Sequence, residues 1–199
     1  MLQNVPEKIL KRMQWLEELN QKEKTGEISI EHFDRLRQIP PETGRFLFMM
    51  ALCAPEGNFI EIGTSAGYST LWITLACLQL NNKTITTFEL DKRKIGMAKE
   101  TFEQADVSKY IHLIEGNVLD HLTHYHGLTF CFLDTEKSLY LDCYETIIPN
   151  MKKGGLLLAD NVISHQTDLM PMIDRVIADN RMCSMIVPIG QGILLSKKL

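Results

Sequence analysis

The sequence has no long uncharged hydrophobic stretch. Its longest apolar run, residues 46–54, is far shorter than the roughly 18 residues that a membrane-spanning helix needs. The N-terminal segment carries charged side chains, among them Glu7, Lys8, Lys11 and Arg12, which leave no room for the apolar centre of a secretory signal peptide. We therefore expect no membrane span and a cytoplasmic location.

Cysteine is also scarce, and its arrangement is not that of a disulfide framework. The five cysteines are odd in number, and no two of them have C-x-x-C spacing. Each lies in an apolar stretch, so we expect reduced core residues in a reducing compartment. These residues are Cys53, Cys77, Cys131, Cys143 and Cys183.

Positive charge is not in excess. The formal net charge of -4 at pH 7 gives no basic footprint of the kind that nucleic-acid-binding proteins carry. The length of 199 residues and the 45% hydrophobic content suit one globular domain with a substantial core. We predict a single domain over residues 1–199 and favour a small-molecule partner over RNA.

The N-terminal segment has the pattern of an amphipathic helix. Its apolar residues recur at helical spacing at Val5, Ile9, Met13, Leu16 and Leu19. Such a face must be covered by the rest of the domain or by a second subunit, and for this reason we predict a homodimer. We assign residues 1–40 to a helical cap and residues 41–199 to the core, which begins with a helix over residues 44–53.

From there the chain alternates short β-forming apolar runs with longer helical patterns, which is typical of a parallel sheet covered on both faces. The pattern predicts strands over residues 58–62, 84–89, 111–115, 129–134 and 155–160, and helices over residues 67–79, 92–104, 137–149 and 167–179. A closing hairpin follows, with strands over residues 185–188 and 193–196 around turn glycines. The predicted fold is a doubly wound α/β domain with an antiparallel end.

Each of the five parallel strands reaches a carboxylate at or next to its C-terminal end. These residues are Glu61, Glu89, Glu115, Asp134 and Asp160. In open α/β sheets the ligand crevice lies outside the carboxyl ends of the strands, so the side chains should converge on one rim. Glu115 is the one that we interpret as an ordinary strand terminator.

The first strand runs into a glycine loop over residues 61–69, EIGTSAGYS. Glycines there permit a tight turn and a close approach of the backbone to a ligand, and the following helix N-terminus attracts negative charge. The G-x-x-x-G spacing does not match the dinucleotide fingerprint G-x-G-x-x-G, which disfavours a nicotinamide enzyme. Glu89, at the end of the next strand, is placed to accept hydrogen bonds from both hydroxyls of a ribose.

A second constellation combines Asp134 with Asp160 and Asn161, which end neighbouring strands. Two carboxylates and an amide carbonyl are hard oxygen ligands that suit Mg²⁺, Mn²⁺ or Ca²⁺ rather than zinc. The alternative is that Asp160 and Asn161 only cap the following turn.

In combination, these motifs resemble the class I, metal-dependent O-methyltransferases related to catechol and caffeoyl-CoA O-methyltransferases. The resemblance covers about residues 38–199 and includes the glycine loop, TFELD at residues 87–91, Asp134 with Asp160 and Asn161, and PIGQG at residues 188–192. It implies a Rossmann-like methyltransferase fold with a mainly parallel, seven-stranded sheet.

The resemblance also implies roles for individual residues. Glu61, Gly63 and Ser69 would hold the methionine part of S-adenosylmethionine (SAM), Glu89 its ribose, and Asn117 and Val118 its adenine edge, with Ile39 contacting it through the backbone. Asp134, which also borders the cofactor, Asp160 and Asn161 would bind the divalent cation, Mg²⁺ first among the candidates. Lys137 lies where catechol-type members carry a lysine proposed as general base. His165 lies where members often have an acceptor-side residue, but we favour a surface loop residue there over a substrate contact.

The sequence therefore predicts transfer of a methyl group from SAM to a hydroxyl oxygen chelated by the metal. A small catechol-like phenol is the favoured acceptor, and a hydroxylated base in tRNA is the other acceptor that the resemblance permits. Two rival functions are a non-catalytic nucleoside-binding module and, less favoured, a nicotinamide-dependent dehydrogenase. Neither rival needs the metal triad Asp134, Asp160 and Asn161.

Overall fold

A computed structural model describes residues 5–29, 31 and 35–199 of the chain. Within these residues, seven strands form one sheet. The strands are β1 (Asn58–Ile62), β2 (Ile85–Glu89), β3 (Ile111–Glu115), β4 (Leu128–Leu133), β5 (Met151–Ala159), β6 (Met182–Val187) and β7 (Ile193–Lys198). No helix in the described part of the chain is long and apolar enough to cross a membrane.

Six α-helices accompany the sheet within the same residues: α1 (Glu7–Thr25), α2 (Pro41–Cys53), α3 (Tyr68–Gln79), α4 (Lys92–Gln104), α5 (Tyr140–Asn150) and α6 (Gln166–Ile177). The apolar spacing that predicted α6 corresponds to one buried face of the helix. The residues on this face are Leu169, Met172, Ile173 and Val176. A 3-10 turn at Lys137–Leu139 occupies the start of the helix that the sequence predicted over residues 137–149.

The strand order is β3-β2-β1-β4-β5-β7-β6. Strand β7 is antiparallel to both of its neighbours, whereas the other described strand pairs are parallel. The order therefore reverses between β1 and β4, and this reversal is the position at which open α/β sheets bind ligands. The predicted doubly wound α/β fold with an antiparallel C-terminal strand is confirmed.

The core lies on both faces of the sheet, as β4 shows most clearly. All six residues of β4 are buried. Phe130 and Phe132 belong to the apolar cluster formed with α1 to α4, whereas Cys131 and Leu133 belong to the cluster formed with α5 and α6. This alternation is the expected period of two, and the burial on both faces fixes the register that positions the strand ends.

Helix α1 packs its apolar face against the chain itself. Ile9, Met13 and Leu16 are buried, and Arg12 donates hydrogen bonds to the Thr101 hydroxyl, with N···O distances of 3.0 and 3.2 Å. The apolar face of α1 is thus covered by the same chain, so it does not support the presence of a second subunit. The homodimer stays a prediction, and residues 1–4, 30 and 32–34 of the predicted cap lie outside the described residues.

Three sequence predictions need correction. Cys53 and Cys183 are exposed rather than in the core, although all five cysteines are free. Strand β5 begins at Met151, four residues earlier than predicted, because Met151 already pairs with Leu128 of β4 and the strand continues through an irregularity at Gly154. Strand β6 likewise begins at Met182, three residues before the predicted start.

Candidate active site at the carboxyl ends of β1, β4 and β5

Sheet register brings the ends of three strands together. Ile62 pairs with Leu133, and Leu133 pairs with Ala159. The next residues remain in step, since the Asp134 amide donates to the Ile62 carbonyl at 2.9 Å and the Asp160 amide donates to the Leu133 carbonyl at 3.0 Å. The glycine loop after β1 and the two aspartates therefore meet at one edge of the sheet, as predicted.

The glycine loop approaches β4 so closely that a side chain does not fit. Gly63 has φ of 100°, and a Cβ atom built there would lie 1.9 Å from the Asp134 carbonyl oxygen. Gly67, with φ of 88°, precedes α3 and packs its backbone against the Phe102 ring. Both positions require glycine, and the backbone they form is open to close approach by a ligand.

Glu61 lies beneath this loop rather than on the open rim. Its side chain is fully buried, and Oε2 accepts hydrogen bonds from the Thr70 hydroxyl at 2.5 Å and the Thr87 hydroxyl at 2.7 Å. Oε1 accepts no hydrogen bond from any described residue. Burial raises the pKa of Glu61 to about 7, an effect that nearby hydroxyls, including that of Ser69, oppose. A buried carboxylate oxygen without a donor is suited to a cationic ligand group.

Glu89 is fixed at the end of β2 by backbone donors. Its Oε2 accepts from the Ser65 amide at 2.8 Å, and its Oε1 accepts from the Leu90 and Asp91 amides, each at 2.9 Å. A carboxylate has about four lone-pair sites, and the three amides occupy three of them, so one further bond, at Oε2, is available to a ribose hydroxyl. The Asp91 side chain in turn accepts from the Arg93 amide and caps α4.

The residues predicted to contact adenine follow the end of β3, next to β2. The Gly116 amide donates to the Glu89 carbonyl at 2.9 Å, which places Asn117 beside the Glu89 strand end. The Asn117 side chain is occupied locally, because its Oδ1 accepts from the Leu119 amide at 3.1 Å. Val118 is buried. Contact with adenine would therefore use the backbone edge of this turn more than the Asn117 amide group.

A segment before α2 is tied across the glycine loop by side chains that the sequence analysis did not identify. Ser65 donates its hydroxyl proton to the Leu36 carbonyl at 2.7 Å, and the Leu36 amide donates to the Glu23 carboxylate at 3.1 Å. The buried Lys94 donates to the carbonyl of Arg35. These bonds position the buried Ile39, three residues after Leu36. No local spacing reveals them, because each joins residues that are distant in sequence.

The predicted metal ligands come together at the ends of β4 and β5. The Asn161 amide nitrogen donates to Asp134 Oδ1 at 2.8 Å. Asp160 is 2% exposed, and its Oδ1 has no hydrogen-bond partner among the described residues. Asn161 adopts a φ of 67°, a left-handed conformation that asparagine tolerates better than most residues. The three side chains predicted from the sequence are thus neighbours.

The two aspartates form a pair that opposes ionisation. Burial, together with the charge of the adjacent Asp134, raises the pKa of Asp160 to about 7. Burial also raises the pKa of Asp134, against the opposing effects of Lys137 and Asn161. A buried and a partly buried carboxylate side by side, with one oxygen unpartnered, repel each other when both are ionised, and a hard cation between them would reduce this repulsion. The described residues contain no group of three His, Cys, Asp or Glu side chains suited to a metal, so this set depends on the Asn161 amide as its third donor.

Lys137 lies against this pair and is held by three acceptors. Its Nζ lies 3.4 Å from Asp134 Oδ1, 3.1 Å from the Thr135 carbonyl oxygen and 3.1 Å from the Tyr140 hydroxyl oxygen. The sequence analysis singled out Lys137 but missed Tyr140. Lys137 and Tyr140 are three residues apart, a spacing that places two side chains on the same side of a helical turn. This spacing was the sequence signal that could have identified Tyr140.

The last turn of the chain supports the loop that follows Asn161. The Val162 amide donates to the Gly192 carbonyl, and the Ile163 amide donates to the Gln191 carbonyl, each at 3.1 Å. His165, at the end of this loop, is exposed, and its Nδ1 lies 3.0 Å from the Ser164 hydroxyl. Its exposure fits the surface loop residue that the sequence favoured, and the alternative contact with an acceptor stays a hypothesis.

The chain is similar in sequence to named O-methyltransferases. It is 29% identical over 130 residues to the catechol O-methyltransferase of Niastella koreensis, an alignment that covers 63% of this chain and 58% of that protein. It is 27% identical over 198 residues to the caffeoyl-CoA O-methyltransferase of Petroselinum crispum, covering 87% of this chain and 81% of that protein.

The fold is also shared with solved structures. The O-methyltransferase from Bacillus cereus in complex with SAH superposes with a TM-score of 0.76 at 18% identity, covering 95% of this chain and 91% of that one. In addition, the family model for O-methyltransferases matches residues 12–199. Because this match spans nearly the whole sequence, the chain belongs to the O-methyltransferase family, as the motifs predicted.

Proposed function

We propose that this protein transfers the methyl group of SAM to a hydroxyl oxygen of a small acceptor. In this proposal Asp134, Asp160 and Asn161 bind a divalent cation, and the acceptor chelates that cation. The observation that carries this proposal is the pair of adjacent aspartates, in which Asp160 is buried with its Oδ1 unpartnered within the described residues and Asp134 is partly buried beside it. Burial raises the pKa of both carboxyl groups, and neighbouring acids with raised pKa values favour a functional site.

The cofactor side of the proposal rests on the glycine loop and on Glu61 and Glu89. Glu61 Oε1 is a buried acceptor suited to the cationic amino group of the methionine part, and Ser69 lies beside the same carboxylate. Glu89 is oriented by backbone amides, which leave its Oε2 able to accept from a ribose hydroxyl. The Bacillus cereus relative is described in complex with SAH, the demethylated form of SAM, which supports the same ligand here.

The donor set fits a hard divalent cation, with Mg²⁺ preferred and Mn²⁺ or Ca²⁺ as alternatives. When bound, such a cation supplies Lewis-acid chemistry that lowers the pKa of a chelated hydroxyl and holds two vicinal oxygens in a fixed orientation. The residues of the chain do the remaining work. Asp134 and Asp160 provide the negative charge, and Asn161 provides a neutral oxygen donor.

Lys137 is the proposed proton acceptor. Its Nζ lies against Asp134, so an acceptor hydroxyl held beside that carboxylate is within reach of the amine. The methyl group then passes in line from the sulfonium sulfur of SAM to the acceptor oxygen. Rate enhancement in this scheme comes mainly from positioning and from electrostatics.

The acceptor class is proposed from the relatives and from the charge of the chain. The relatives are named for catechol and for caffeoyl-CoA, each of which presents vicinal hydroxyls on an aromatic ring. The net charge of -4 disfavours a polyanionic acceptor. We therefore propose a small catechol-like phenol.

Two measurements test this function. Titration calorimetry should show binding of SAM and SAH but not of NAD, and binding of NAD in place of SAM would refute the cofactor assignment. A methyl-transfer screen with isotopically labelled SAM should then compare catechols, flavonoids and bulk tRNA in the presence of Mg²⁺. Label in a catechol or flavonoid is the expected result, whereas label in tRNA alone would replace the proposed acceptor class.

A further inference from the structure

Tyr140 is a buried tyrosine whose hydroxyl links the backbone of Asp160 to the side chain of Lys137. It is the first residue of α5 and is fully buried. Its hydroxyl donates to the Asp160 carbonyl oxygen at 3.2 Å, and the Lys137 Nζ donates to the same hydroxyl oxygen at 3.1 Å. One phenol therefore connects the backbone at the end of β5 to the lysine that follows β4.

The direction of these two bonds fixes the role of the hydroxyl. A tyrosine hydroxyl has one proton, and it is used toward the Asp160 carbonyl, so its oxygen accepts from Lys137. The lysine nitrogen has three bonding directions, which are all N–H donors in the ammonium form, whereas one is a lone pair in the neutral amine that accepts a proton. Here one points to Tyr140, one to the Thr135 carbonyl at 3.1 Å and one to Asp134 Oδ1 at 3.4 Å.

We infer that Tyr140 is a positioning residue for methyl transfer, which holds Lys137 so that one direction of its Nζ faces Asp134. The inference rests on the proposed function, in which Asp134 lies beside the acceptor oxygen. Without the Tyr140 hydroxyl, the flexible lysine side chain loses one of two acceptors that turn its Nζ toward the site, and other rotamers become accessible. The Tyr140 ring, whose centroid lies 4.9 Å from Nζ, would still be present in a phenylalanine variant.

Helix α5 offers a matched control one turn further on. Tyr144 is also fully buried, and its hydroxyl donates to Asp179 Oδ2 at 2.9 Å, away from Lys137. Both Tyr140→Phe and Tyr144→Phe remove one hydroxyl from a buried ring on the same helix. A purely structural role for Tyr140 predicts similar behaviour of the two variants at the active site.

The first test needs neither an acceptor nor a metal. Acetylation of Lys137 by acetic anhydride is followed by peptide mass spectrometry, with the exposed Lys153 as internal reference. Tyr140→Phe should raise the relative rate at Lys137 by about tenfold, the effect expected for losing a hydrogen bond to a charged group, and Tyr144→Phe should leave it unchanged. An unchanged rate in Tyr140→Phe would overturn the inference. If that variant does not fold, the test is a nuclear Overhauser contact between the Lys137 ε-methylene and the Tyr140 ring in the wild type. Absence of this contact would overturn the inference.

The second test uses turnover with a catechol acceptor and Mg²⁺. Tyr140→Phe should lower kcat by about tenfold with little change in KM or in Mn²⁺ affinity measured by electron paramagnetic resonance. It should have no further effect in a Lys137→Met background, because the two residues act as one unit. Equal effects in both backgrounds would overturn the positioning role while leaving the proposed function intact. Absence of wild-type turnover on every acceptor would instead contradict the proposed function, and the acetylation result would still decide the contact.

Discussion

Replacing Asp160 by asparagine should change how the stability of the metal-free protein depends on pH. Burial and the neighbouring Asp134 raise the pKa of Asp160 from 3.8 to about 7 in the folded protein. The folded state then binds this proton more tightly than the unfolded chain does, so stability falls as the pH rises from about 4 to about 7. With about 1.36 kcal/mol for each pKa unit, the loss due to this single carboxyl group is at most about 4 kcal/mol.

Urea unfolding in the presence of a chelator at pH 5 and at pH 8 measures this effect. The wild type should be less stable at pH 8, and Asp160→Asn should recover on the order of 2 kcal/mol there while changing little at pH 5. Added Mg²⁺ should stabilise the wild type at pH 8 and have a much smaller effect on the variant. Both effects follow from a carboxylate that is costly to ionise without a cation.

Glu115 supplies the matched control for this comparison. It also ends a parallel strand, but it is half exposed and pairs with Lys99 at 2.6 Å on the surface, where an ion pair is worth at most about 1 kcal/mol. Glu115→Gln should therefore leave the difference between pH 5 and pH 8 as it is in the wild type. If Asp160→Asn showed the same pH dependence as the wild type, the argument that Asp160 is costly to ionise beside Asp134 would be refuted.

Three further predictions follow from single contacts. Glu89→Ala should weaken SAH binding by about 1.5–3 kcal/mol in calorimetry, and an unchanged affinity would remove Glu89 from the cofactor site. Gly63→Ala introduces a Cβ atom 1.9 Å from the Asp134 carbonyl oxygen, so its urea midpoint and its SAH affinity should both fall, and a variant as stable as the wild type would contradict the packing of β1 against β4. Leu16→Ala, which truncates a fully buried side chain of α1, should cost about 2–5 kcal/mol of unfolding free energy, whereas a loss below about 1 kcal/mol would show that α1 is not part of the cooperative core.

The parts of the fold that the sequence predicted best are those in which local pattern and burial agree. Strands β1 and β3 have the predicted bounds, since each is a short apolar run between clear turn signals. The convergence of Asp134 and Asp160 was predictable because both end parallel strands, whose carboxyl ends share one edge of the sheet. Strand β5 was predicted too short because Lys152, Lys153 and Gly154 interrupt its apolar run, whereas the pairing of Met151 with Leu128 of β4 starts the strand before them.

The parts that could not be predicted depend on contacts between distant residues. The depth of Glu61 beneath the glycine loop follows from packing of β1 between β2 and β4, which no local pattern specifies. The exposure of Cys183 follows from the position of β6 at the sheet edge. The bond from Ser65 to the Leu36 carbonyl spans a helix and a strand, and the spacing of these residues gives no sign of it.

The most direct test of metal-dependent methyl transfer is a single assay with isotopically labelled SAM and the catechol acceptor identified in the screen. Activity is measured after treatment with a chelator, again after adding Mg²⁺ or Mn²⁺, and in the Asp134→Ala variant under saturating metal. We predict that transfer is lost with the chelator, recovers with either cation, and is absent in the variant. Undiminished transfer in the chelator-treated protein, or in Asp134→Ala, would contradict the proposal that a cation at these aspartates holds the acceptor.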